Sequence, residues 1–182
     1  MSVAPVNRII PHSVVDGPGN RTAVFLQECN LDCGYCHNPE TIVRCGFCGD
    51  CVQSCPVNAL KKQDGKVIWD KTACVECDAC IQTCQRSSSP KTETLTPDQL
   101  MSQIAKNIPF IKGVTISGGE CTLHRDFLVE FGAKVRGKGR SFLLDSNGTH
   151  DFSKDPELLN VVDGVMLDVK CFDPQGHIDL TG

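Results

Sequence analysis

Three cysteines near the N-terminus, Cys29, Cys33 and Cys36, have the spacing C-x3-C-x2-C. A cluster of four iron and four sulfide ions ordinarily takes four thiolates, one for each iron. Three thiolates on one short loop therefore hold three irons and leave the fourth open, much as a catalytic metal keeps one position free. The spacing predicts a [4Fe–4S] cluster built for chemistry. The alternative is a zinc knuckle that His37 completes.

Eight further cysteines lie in two runs with the spacing C-x2-C-x2-C-x3-C. Runs of this kind bind two [4Fe–4S] clusters, and the fourth cysteine of each run serves the other cluster. The predicted ligand sets are Cys45, Cys48, Cys51 and Cys84 for one cluster, and Cys74, Cys77, Cys80 and Cys55 for the other. Pro56 follows the first run, whereas Gln85 replaces the second proline. A pair of zinc sites is the alternative.

A third motif, Ser117-Gly118-Gly119-Glu120, ends an apolar stretch. Adjacent glycines let the backbone approach a ligand closely, and Glu120 can accept hydrogen bonds from a ligand ammonium. Because a Gly-Gly turn before a helix is common, the motif gains its weight from standing in the same chain as the cysteine loop. Two cysteines outside any spacing, Cys121 and Cys171, are predicted to be packing residues or incidental thiols.

Composition and charge argue against several classes of partner. The chain has 182 residues, a net charge of -4 and no long basic run, which argues against nucleic acid. No apolar stretch approaches the roughly 18–20 residues of a membrane helix, and the N-terminus lacks the layout of a signal peptide. Of 13 cysteines, all but Cys121 and Cys171 lie between Cys29 and Cys84. The missing membrane helix and signal peptide predict a cytoplasmic protein, and in that reducing compartment clustered cysteines are metal ligands more often than disulfides.

Alternating strands and helices must position these groups. Thr96 caps a predicted helix that has Pro97 in its first turn, and Leu100, Ile104 and Ile108 recur at helical spacing. The stretches 23–26, 113–117, 141–145 and 164–169 predict strands, and 127–137 and 155–162 predict helices. Alternation of this kind implies a parallel sheet with right-handed crossovers, whose sites lie at the carboxyl ends of the strands.

The chain divides into three predicted regions. Residues 1–44 are the first part of an α/β unit and contain the cysteine loop 29–36, and residues 89–182 continue it. Residues 45–88 are dense in cysteine and poor in pattern, so we expect them to fold around metal rather than around a core. The last residues follow a strand and a loop with no predicted helix. We therefore expect the C-terminal strands of the unit to be missing.

Together these motifs resemble the radical S-adenosylmethionine (SAM) superfamily and, within it, the activating enzymes of glycyl-radical enzymes, most of all the YjjW-type activases. The resemblance runs from about Ile9 to Gly182. It rests on the Asp16–Arg21 loop, the cysteine loop continuing into His37-Asn38-Pro39, the two-cluster insert, Ser117–Glu120, Asp145–Gly148 and Asp168–Lys170. It implies an α/β fold, a partial (β/α) barrel with parallel strands that a small ferredoxin-like two-cluster insert interrupts.

The resemblance also implies an activity, cofactors and partners. An enzyme of this family cleaves SAM reductively to methionine and a 5′-deoxyadenosyl radical, which takes a hydrogen atom from a backbone glycine of a partner enzyme. The implied cofactors are SAM and three [4Fe–4S] clusters, one that binds SAM and two in the insert. The glycyl-radical enzyme would meet the Asp16–Arg21 loop, a flavodoxin or ferredoxin would supply electrons, and the protein would be a monomer.

The family's roles map onto single positions of this sequence. Cys29, Cys33 and Cys36 would hold the cluster that cleaves SAM, with Asn38 beside it. Gly118, Gly119 and Glu120 would hold the amino group of SAM, and Lys170 and Asp168 would support its methionine end. Asp145, Ser146, Met166 and Asp168 match the positions of a monovalent-cation site in the pyruvate formate-lyase activases, where Ser146 replaces the usual threonine.

Other functions fit parts of the sequence. A ferredoxin-like electron-transfer protein would use residues 45–88 and treat the rest as scaffold, but a pure carrier gains nothing from an open iron. A radical SAM enzyme that acts on a small molecule would share the cysteine loop, and only the resemblance of the Asp16–Arg21 and Asp145–Gly148 segments argues against it. A zinc-bound interaction module is the third alternative.

Overall fold

The structure is a computed structural model, which describes residues 2–182. The strands are β1 (Ala4–Ser13), β2 (Arg21–Leu26), β3 (Leu60–Gln63), β4 (Lys66–Trp69), β5 (Glu93–Leu95), β6 (Gly113–Gly118), β7 (Ser141–Ser146) and β8 (Gly164–Leu167). The α-helices are α1 (Ala79–Gln82), α2 (Pro97–Ile104), α3 (Arg125–Gly137), α4 (Pro156–Val161) and α5 (Pro174–Thr181). Short 3-10 turns lie at Pro39–Thr41, Asp50–Val52, Ile108–Phe110, Cys121–His124 and Phe152–Lys154. None of the helices in residues 2–182 combines the length and apolarity needed to cross a membrane.

Six strands form the main sheet, in the order β5-β1-β2-β6-β7-β8. Strands β2, β6, β7 and β8 run parallel, as the alternation of strands and helices predicts, whereas β1 is antiparallel to both β2 and β5. Arg21, Gly113 and Ser141 stand side by side at the amino ends of the first three parallel strands. The carboxyl ends of the parallel strands therefore share one edge. This is an α/β fold with a mostly parallel sheet, consistent with the partial barrel that the resemblance implies.

Helices α2, α3 and α4 cover one face of this sheet and enclose the main core. The alternate residues of β2, β6 and β7 that point to this face are almost fully shielded from solvent: Val24, Leu26, Val114, Ile116, Phe142 and Leu144. Helix α3 contributes Phe127, Phe131 and Val135, which are the three positions that predicted its helical period. Burial of each such side chain stabilises the fold by roughly 1.5–3 kcal/mol, so the core holds the strand ends rigidly.

Local signals explain why α2 begins where the sequence predicts. The hydroxyl of Thr96 accepts a hydrogen bond from the backbone N–H of Gln99 at 3.2 Å, and the Gln99 side chain accepts one from the backbone N–H of Thr96 at 2.8 Å. This reciprocal pair satisfies two donors that a helix start leaves unpaired. Pro97 occupies the first turn, where its missing N–H costs nothing.

On the other face of the sheet, polar groups lie at the amino ends of the parallel strands, and Arg21 binds them. This side chain, at the start of β2, is 0% exposed. Its Nε donates to Thr115 Oγ1 at 2.7 Å, Nη1 donates to Ser141 Oγ at 2.9 Å, and Nη2 donates to the Val114 carbonyl at 2.9 Å. Burial lowers the pKa of the guanidinium, and the charge of Asp163 opposes this. Arg21 therefore joins three parallel strands and cannot reach a partner, although the resemblance placed it in the partner-binding loop.

The insert has a small core as well as its cysteines. Strands β3 and β4 form a separate antiparallel hairpin, and Leu60 and Val67 of this hairpin are buried together with Cys51 and Cys80. The expectation that residues 45–88 lack a core is therefore only partly right. The hairpin turn is Asp64-Gly65, and both residues have positive φ, of 50° and 74°, as a two-residue hairpin turn requires.

The segments that flank the insert are tied to the start of the cysteine loop. The buried Gln27 side chain donates to the carbonyls of Glu40 and Val43, both at 2.7 Å. On the far side of the insert, Ser88 Oγ donates to the same Val43 carbonyl at 2.6 Å, and the Ser89 N–H donates to Glu40 at 3.2 Å. The entry and exit of the insert therefore lie together, next to the loop that follows β2.

Helix α5 corrects the expectation that the chain ends in a loop. Asp173 caps it by accepting a hydrogen bond from the Gly176 N–H at 2.7 Å. The end of the helix supports the cysteine loop, because the N–H of Asp32 donates to the Thr181 carbonyl at 2.8 Å and that of Gly34 donates to the Leu180 carbonyl at 3.1 Å. No helical period predicts this helix, since it is short and its exposed residues mix apolar and polar types.

We expect Arg21→Leu to lower the free energy of unfolding by about 3 kcal/mol, because it removes the donors to the buried Thr115 Oγ1 and Val114 carbonyl. Urea unfolding would measure the change. Arg8→Leu is the matched control, since Arg8 lies exposed on β1 and its loss should cost within about 0.5 kcal/mol. Equal effects of the two substitutions would contradict the role given to Arg21.

Candidate active site

A cavity of about 550 Å³ opens where the parallel strands end. Most residues that the sequence predicts for the site line it: Cys29, Cys33, Cys36, Asn38, Gly118, Gly119, Asp145, Ser146, Asp168 and Lys170. Two others, Glu120 and Met166, do not. The volume lies in the range of pockets that bind small molecules and cofactors, and the edge of the sheet is the one where α/β folds place their sites.

The cysteine loop is held from three sides. At its start the Glu28 N–H donates to the Thr41 carbonyl at 2.7 Å and the Cys29 N–H donates to that of Ile42 at 3.0 Å. Within the loop, the Cys36 N–H donates to the Cys33 carbonyl at 3.0 Å, which closes a tight turn. Helix α5 supports the middle, as described above. The three thiols of Cys29, Cys33 and Cys36 are free and half-buried, so the loop presents them to the cavity as a set.

The two glycines of the Ser117–Glu120 motif allow β6 to approach β2. A Cβ on Gly118, which has φ +125°, would lie 2.1 Å from the Leu26 carbonyl oxygen, and one on Gly119 would lie 2.0 Å from that of Glu28. The sequence predicted close approach to a ligand. In the structure both glycines line the cavity, but the group that each approaches is the neighbouring backbone, which no side chain would permit.

Glu120 is 0% exposed and turned away from the cavity. Its Oε1 accepts hydrogen bonds from Thr122 Oγ1 at 2.6 Å and Ser146 Oγ at 3.0 Å, and its Oε2 accepts one from the Asn147 N–H at 2.7 Å. A buried carboxylate is tolerated when its oxygens are paired in this way. In this conformation Glu120 ties the end of β6 to the end of β7, and it does not face a ligand amino group.

Charged groups gather on the opposite wall. Asp145 Oδ2 accepts a hydrogen bond from Ser117 Oγ at 2.8 Å, and Lys170 Nζ pairs with Asp168 Oδ2 at 2.6 Å. Burial raises the pKa of Asp145, and the charges of Asp168 and Asp16 raise it further, whereas Lys170 opposes them. The wall therefore offers one cation and two carboxylates, and burial raises the pKa of one of them, Asp145.

Two of the four positions matched to a cation site point elsewhere. The Ser146 hydroxyl donates to Glu120 and accepts from the Gly148 N–H at 3.2 Å. The Met166 sulfur lies next to Gly17, within 3.4 Å of where a Cβ on that glycine would stand. Of the predicted set, only the carboxylates of Asp145 and Asp168 remain directed to the cavity wall, where Ser117 donates to the first and Lys170 pairs with the second.

The arrangement of the cysteines fits iron–sulfur clusters better than single ions. Within residues 2–182, no three side chains of Cys, His, Asp or Glu converge on a position for one metal ion. Zinc would require four ligand atoms within about 2.0–2.3 Å of one centre, whereas a [4Fe–4S] cluster spreads its thiolates over four irons. Three free thiols and His37 line the cavity, and within residues 2–182 no fourth cysteine does. This donor set fits a cluster with one open iron.

The insert cysteines differ in exposure. Cys48 and Cys77 are exposed, Cys51 and Cys80 are buried, and the other four are half-buried. Burial raises the pKa of the Cys51 thiol to about 11 and also raises that of Cys80. The two buried thiols come from different runs and meet in the same small core. The crossed ligand sets stay a prediction.

Cys121 and Asn147 show what the sequence could and could not reveal. Cys121 is buried and its thiol donates to the Asp145 carbonyl at 3.3 Å, in agreement with the predicted packing role. Asn147 belongs to the Asp145–Gly148 motif, and the sequence predicted no role for it by itself. It lines the cavity, and its contacts depend on three separate loops that carry no common sequence pattern.

The chain is similar to a family of iron–sulfur domains and to several activating enzymes. The chain matches the family model described as a 4Fe-4S single cluster domain over residues 15–177. It is 34% identical to a putative glycyl-radical enzyme activating enzyme of Haemophilus influenzae, covering 91% of this chain and 47% of that protein. It is 31% identical to the indoleacetate decarboxylase activating enzyme of Tractidigestivibacter scatoligenes, covering 93% and 62%. With the pyruvate formate-lyase-activating enzyme of Clostridium pasteurianum the identity is 27%, covering 100% and 59%.

These curated relatives are longer than this chain, which spans about half of the first and about three-fifths of the other two. Among solved structures, QueE from Escherichia coli superposes with a TM-score of 0.54 at 16% identity, covering 82% of this chain and 54% of that one. At this identity the likeness shows the fold alone.

We expect Gly119→Ala to release iron from the cavity site, because the added Cβ would meet the Glu28 carbonyl and displace the loop that begins at Cys29. Overpacking of this kind costs about 1–3 kcal/mol. Gly34→Ala is the matched control on the same loop, since a Cβ there meets nothing within 4 Å. Iron and acid-labile sulfide per protein would be measured for both, and equal contents would count against the proposed strain.

We expect Asp145→Asn to make stability less sensitive to pH. The pKa of Asp145 in the folded protein lies above its ordinary value. Its contribution to the free energy of unfolding is therefore fully present below about pH 4 and is lost as the pH rises through the folded pKa. Asparagine does not titrate, so the free energy of unfolding of the variant should rise relative to that of the wild type between about pH 4 and pH 7. Urea unfolding across this range tests the prediction, with Asp126→Asn, whose side chain is 81% exposed, as the control. Parallel curves for Asp145→Asn and the wild type would refute it.

Proposed function

We propose that the whole protein is a radical SAM activating enzyme of a glycyl-radical enzyme. The chain belongs to the 4Fe-4S single cluster domain family and, with its relatives, to these activating enzymes. The whole protein cleaves SAM reductively to methionine and a 5′-deoxyadenosyl radical, and the radical takes a hydrogen atom from a backbone glycine of its partner. The observation that carries the proposal is the set of three free cysteines on the wall of a 550 Å³ cavity that no fourth cysteine lines.

Cys29, Cys33 and Cys36 are the residues that hold the cluster in this proposal. When bound, a [4Fe–4S] cluster with an open iron supplies the coordination site for SAM and the electron for its cleavage. The task of this chain's residues is to present three thiolates on one side and leave the other side open. The bonds from residues 41–42 and from helix α5 to the loop support that task.

SAM would bind in this cavity, which residues of the cysteine loop and of the charged wall line. Lys170 offers a cation for the carboxylate of its methionine end, and Asp168 orients that cation through their 2.6 Å pair. Asn38 lies on the wall with the cysteines, and Gly118 and Gly119 form the floor between them. Glu120 supports this floor from behind, and turning it outward to meet the amino group of SAM would cost its contacts with Ser146 and Asn147. A monovalent cation would lie at Asp145 and Asp168.

Residues 45–88 form the two-cluster insert of this proposal and bring the number of clusters to three. The insert relays electrons to the cavity from a flavodoxin or ferredoxin. Its attachment supports this role, because Gln27, two residues before Cys29, binds the backbone at the insert's entry, and Ser88 and Ser89 bind the same backbone from its exit. The exposed Cys48 and Cys77 place part of each run at the surface, where an electron donor can approach. We retain the boundaries 1–44, 45–88 and 89–182.

The glycyl-radical enzyme meets the loop between β1 and β2, and the activase acts as a monomer. The exposed part of this loop is Val14 and Val15, at 78% and 86%, and Pro18 and Gly19 are also exposed. Gly17 lies against Leu143 and Met166, so the loop crosses the polar face of the sheet towards Asp145. Arg21 anchors the loop from below and does not take part in the contact.

We expect Cys33→Ala to abolish the formation of 5′-deoxyadenosine from SAM under dithionite, while iron of the insert remains countable. Cys77→Ala should retain the SAM-induced change in the cluster EPR signal but slow turnover with a protein reductant. Cys171→Ser, outside every run, is the control and should behave like the wild type. Liquid chromatography of the nucleoside product, with iron and sulfide analysis, measures these outcomes.

Three results would overturn the proposal in favour of its alternatives. Production of 5′-deoxyadenosine by Cys33→Ala would remove the cluster loop from the chemistry. A wild-type EPR signal that SAM does not move would favour a ferredoxin-like carrier. Zinc without acid-labile sulfide in the purified protein would favour a zinc-bound interaction module.

A further inference from the structure

The side chain of Asn147 has a fixed orientation at the end of β7. Its Oδ1 accepts hydrogen bonds from the backbone N–H of Thr149 at 3.0 Å and from the Thr149 hydroxyl at 2.8 Å. A backbone N–H can only donate, so the oxygen of the amide must face Thr149. The nitrogen therefore points the other way, towards the cysteine loop.

On that side Asn147 Nδ2 reaches two atoms of the cysteine loop. It donates to Asn30 Oδ1 at 3.0 Å and contacts Cys29 Sγ at 3.8 Å, the longer distance that bonds to sulfur have. Asn30 returns the contact to β7, because its Nδ2 donates to Thr149 Oγ1 at 2.8 Å. The amides of Asn30 and Asn147 and the hydroxyl of Thr149 thus form a closed ring that positions the donor at Cys29.

The backbone of Asn147 is held as firmly as its side chain. Its N–H donates to the buried Oε2 of Glu120 at 2.7 Å, and the other oxygen of that carboxylate accepts the Ser146 hydroxyl. A hydrogen bond to a buried carboxylate is stronger than one between neutral groups. Glu120 therefore sets where the Asn147 amide stands relative to Cys29, although it does not touch the sulfur.

Cys29 differs from the other two cysteines of its loop in this contact. Within residues 2–182, Asn147 is the only side chain that donates a hydrogen bond to a cysteine sulfur. The remaining donor to Cys29 Sγ is the backbone N–H of Leu31 at 3.5 Å. The insert cysteines Cys45, Cys55 and Cys74 receive backbone donors alone.

Resting on the proposed function, we infer that Asn147 tunes the reduction potential of the cluster at the cavity through its hydrogen bond to the Cys29 sulfur, and that Glu120 positions it. Reduction adds one electron from the external reductant to the cluster, so the negative charge on the ligand sulfurs increases. A donor at a sulfur stabilises the reduced form more than the oxidised form and raises the potential. Asn147 makes the cluster easier to reduce.

The test is a redox titration of the reconstituted protein by EPR. The signal of the cavity cluster is identified as the one that Cys33→Ala lacks. Asn147→Leu removes the donor at similar size, and we expect its cavity cluster to be about tenfold less reduced at a given potential, a negative shift of about 59 mV for one electron. Asn147→Asp also lacks the donor and adds charge, so its shift should be larger in the same direction. The insert clusters should keep their potentials in both variants.

Asn30→Ala is the matched control, because it breaks the same ring but leaves the Asn147 nitrogen free to donate to Cys29. Its cavity cluster should keep the wild-type potential. An unchanged potential in Asn147→Leu would overturn the inference, as would an equal shift in Asn30→Ala, which would indicate a general loss of order. A Cys33-dependent signal that SAM leaves unmoved would refute the proposed activity but not the role of Asn147. The absence of any Cys33-dependent signal would refute both the activity and the role of Asn147.

Discussion

The close approach of two parallel strand ends is the constraint on which this structure depends. Strand β6 finishes in Gly118 and Gly119, and the backbone of residues 26–28 occupies the space that their side chains would take. The Gly119 N–H donates to the Leu26 carbonyl and the Glu120 N–H to that of Glu28. The start of the cysteine loop is therefore set against the end of β6 by main-chain bonds.

Burial of one carboxylate follows from that approach. With its backbone held at Glu28, Glu120 has its side chain in the interior, where it must find donors or destabilise the fold. The donors come from Thr122, Ser146 and Asn147, so the ends of β6 and β7 become one polar unit. A cavity with walls fixed in this way loses little entropy when it binds a ligand, which is the general advantage of a preorganised site.

Much of the fold was predictable because its signals are local. Strand β6, helix α3 and the capped start of α2 follow from apolar period and from Thr96 and Pro97. Strand β1 gave no such signal, since Pro5 and Pro11 interrupt its pattern and proline is rare within sheets. Helix α5 is short, and its last carbonyls accept hydrogen bonds from the cysteine loop, which lies far away in the sequence. The Asp64-Gly65 hairpin carried a turn signal but only four residues on each side.

The sequence by itself determined the chemistry: cysteines in three runs, a pair of glycines and a short list of charged residues after strands. Only the tertiary structure decided how those residues are used. In the structure Glu120 points into the interior and the Arg21 side chain is buried against one face of the sheet. Asn147 contacts Cys29, which lies 118 residues away in the chain. The physical reason is that metal-ligand spacing is a local property of the chain, whereas hydrogen bonds between loops depend on which strands lie side by side. That order is fixed by packing of the whole sheet, and no short stretch of sequence encodes it.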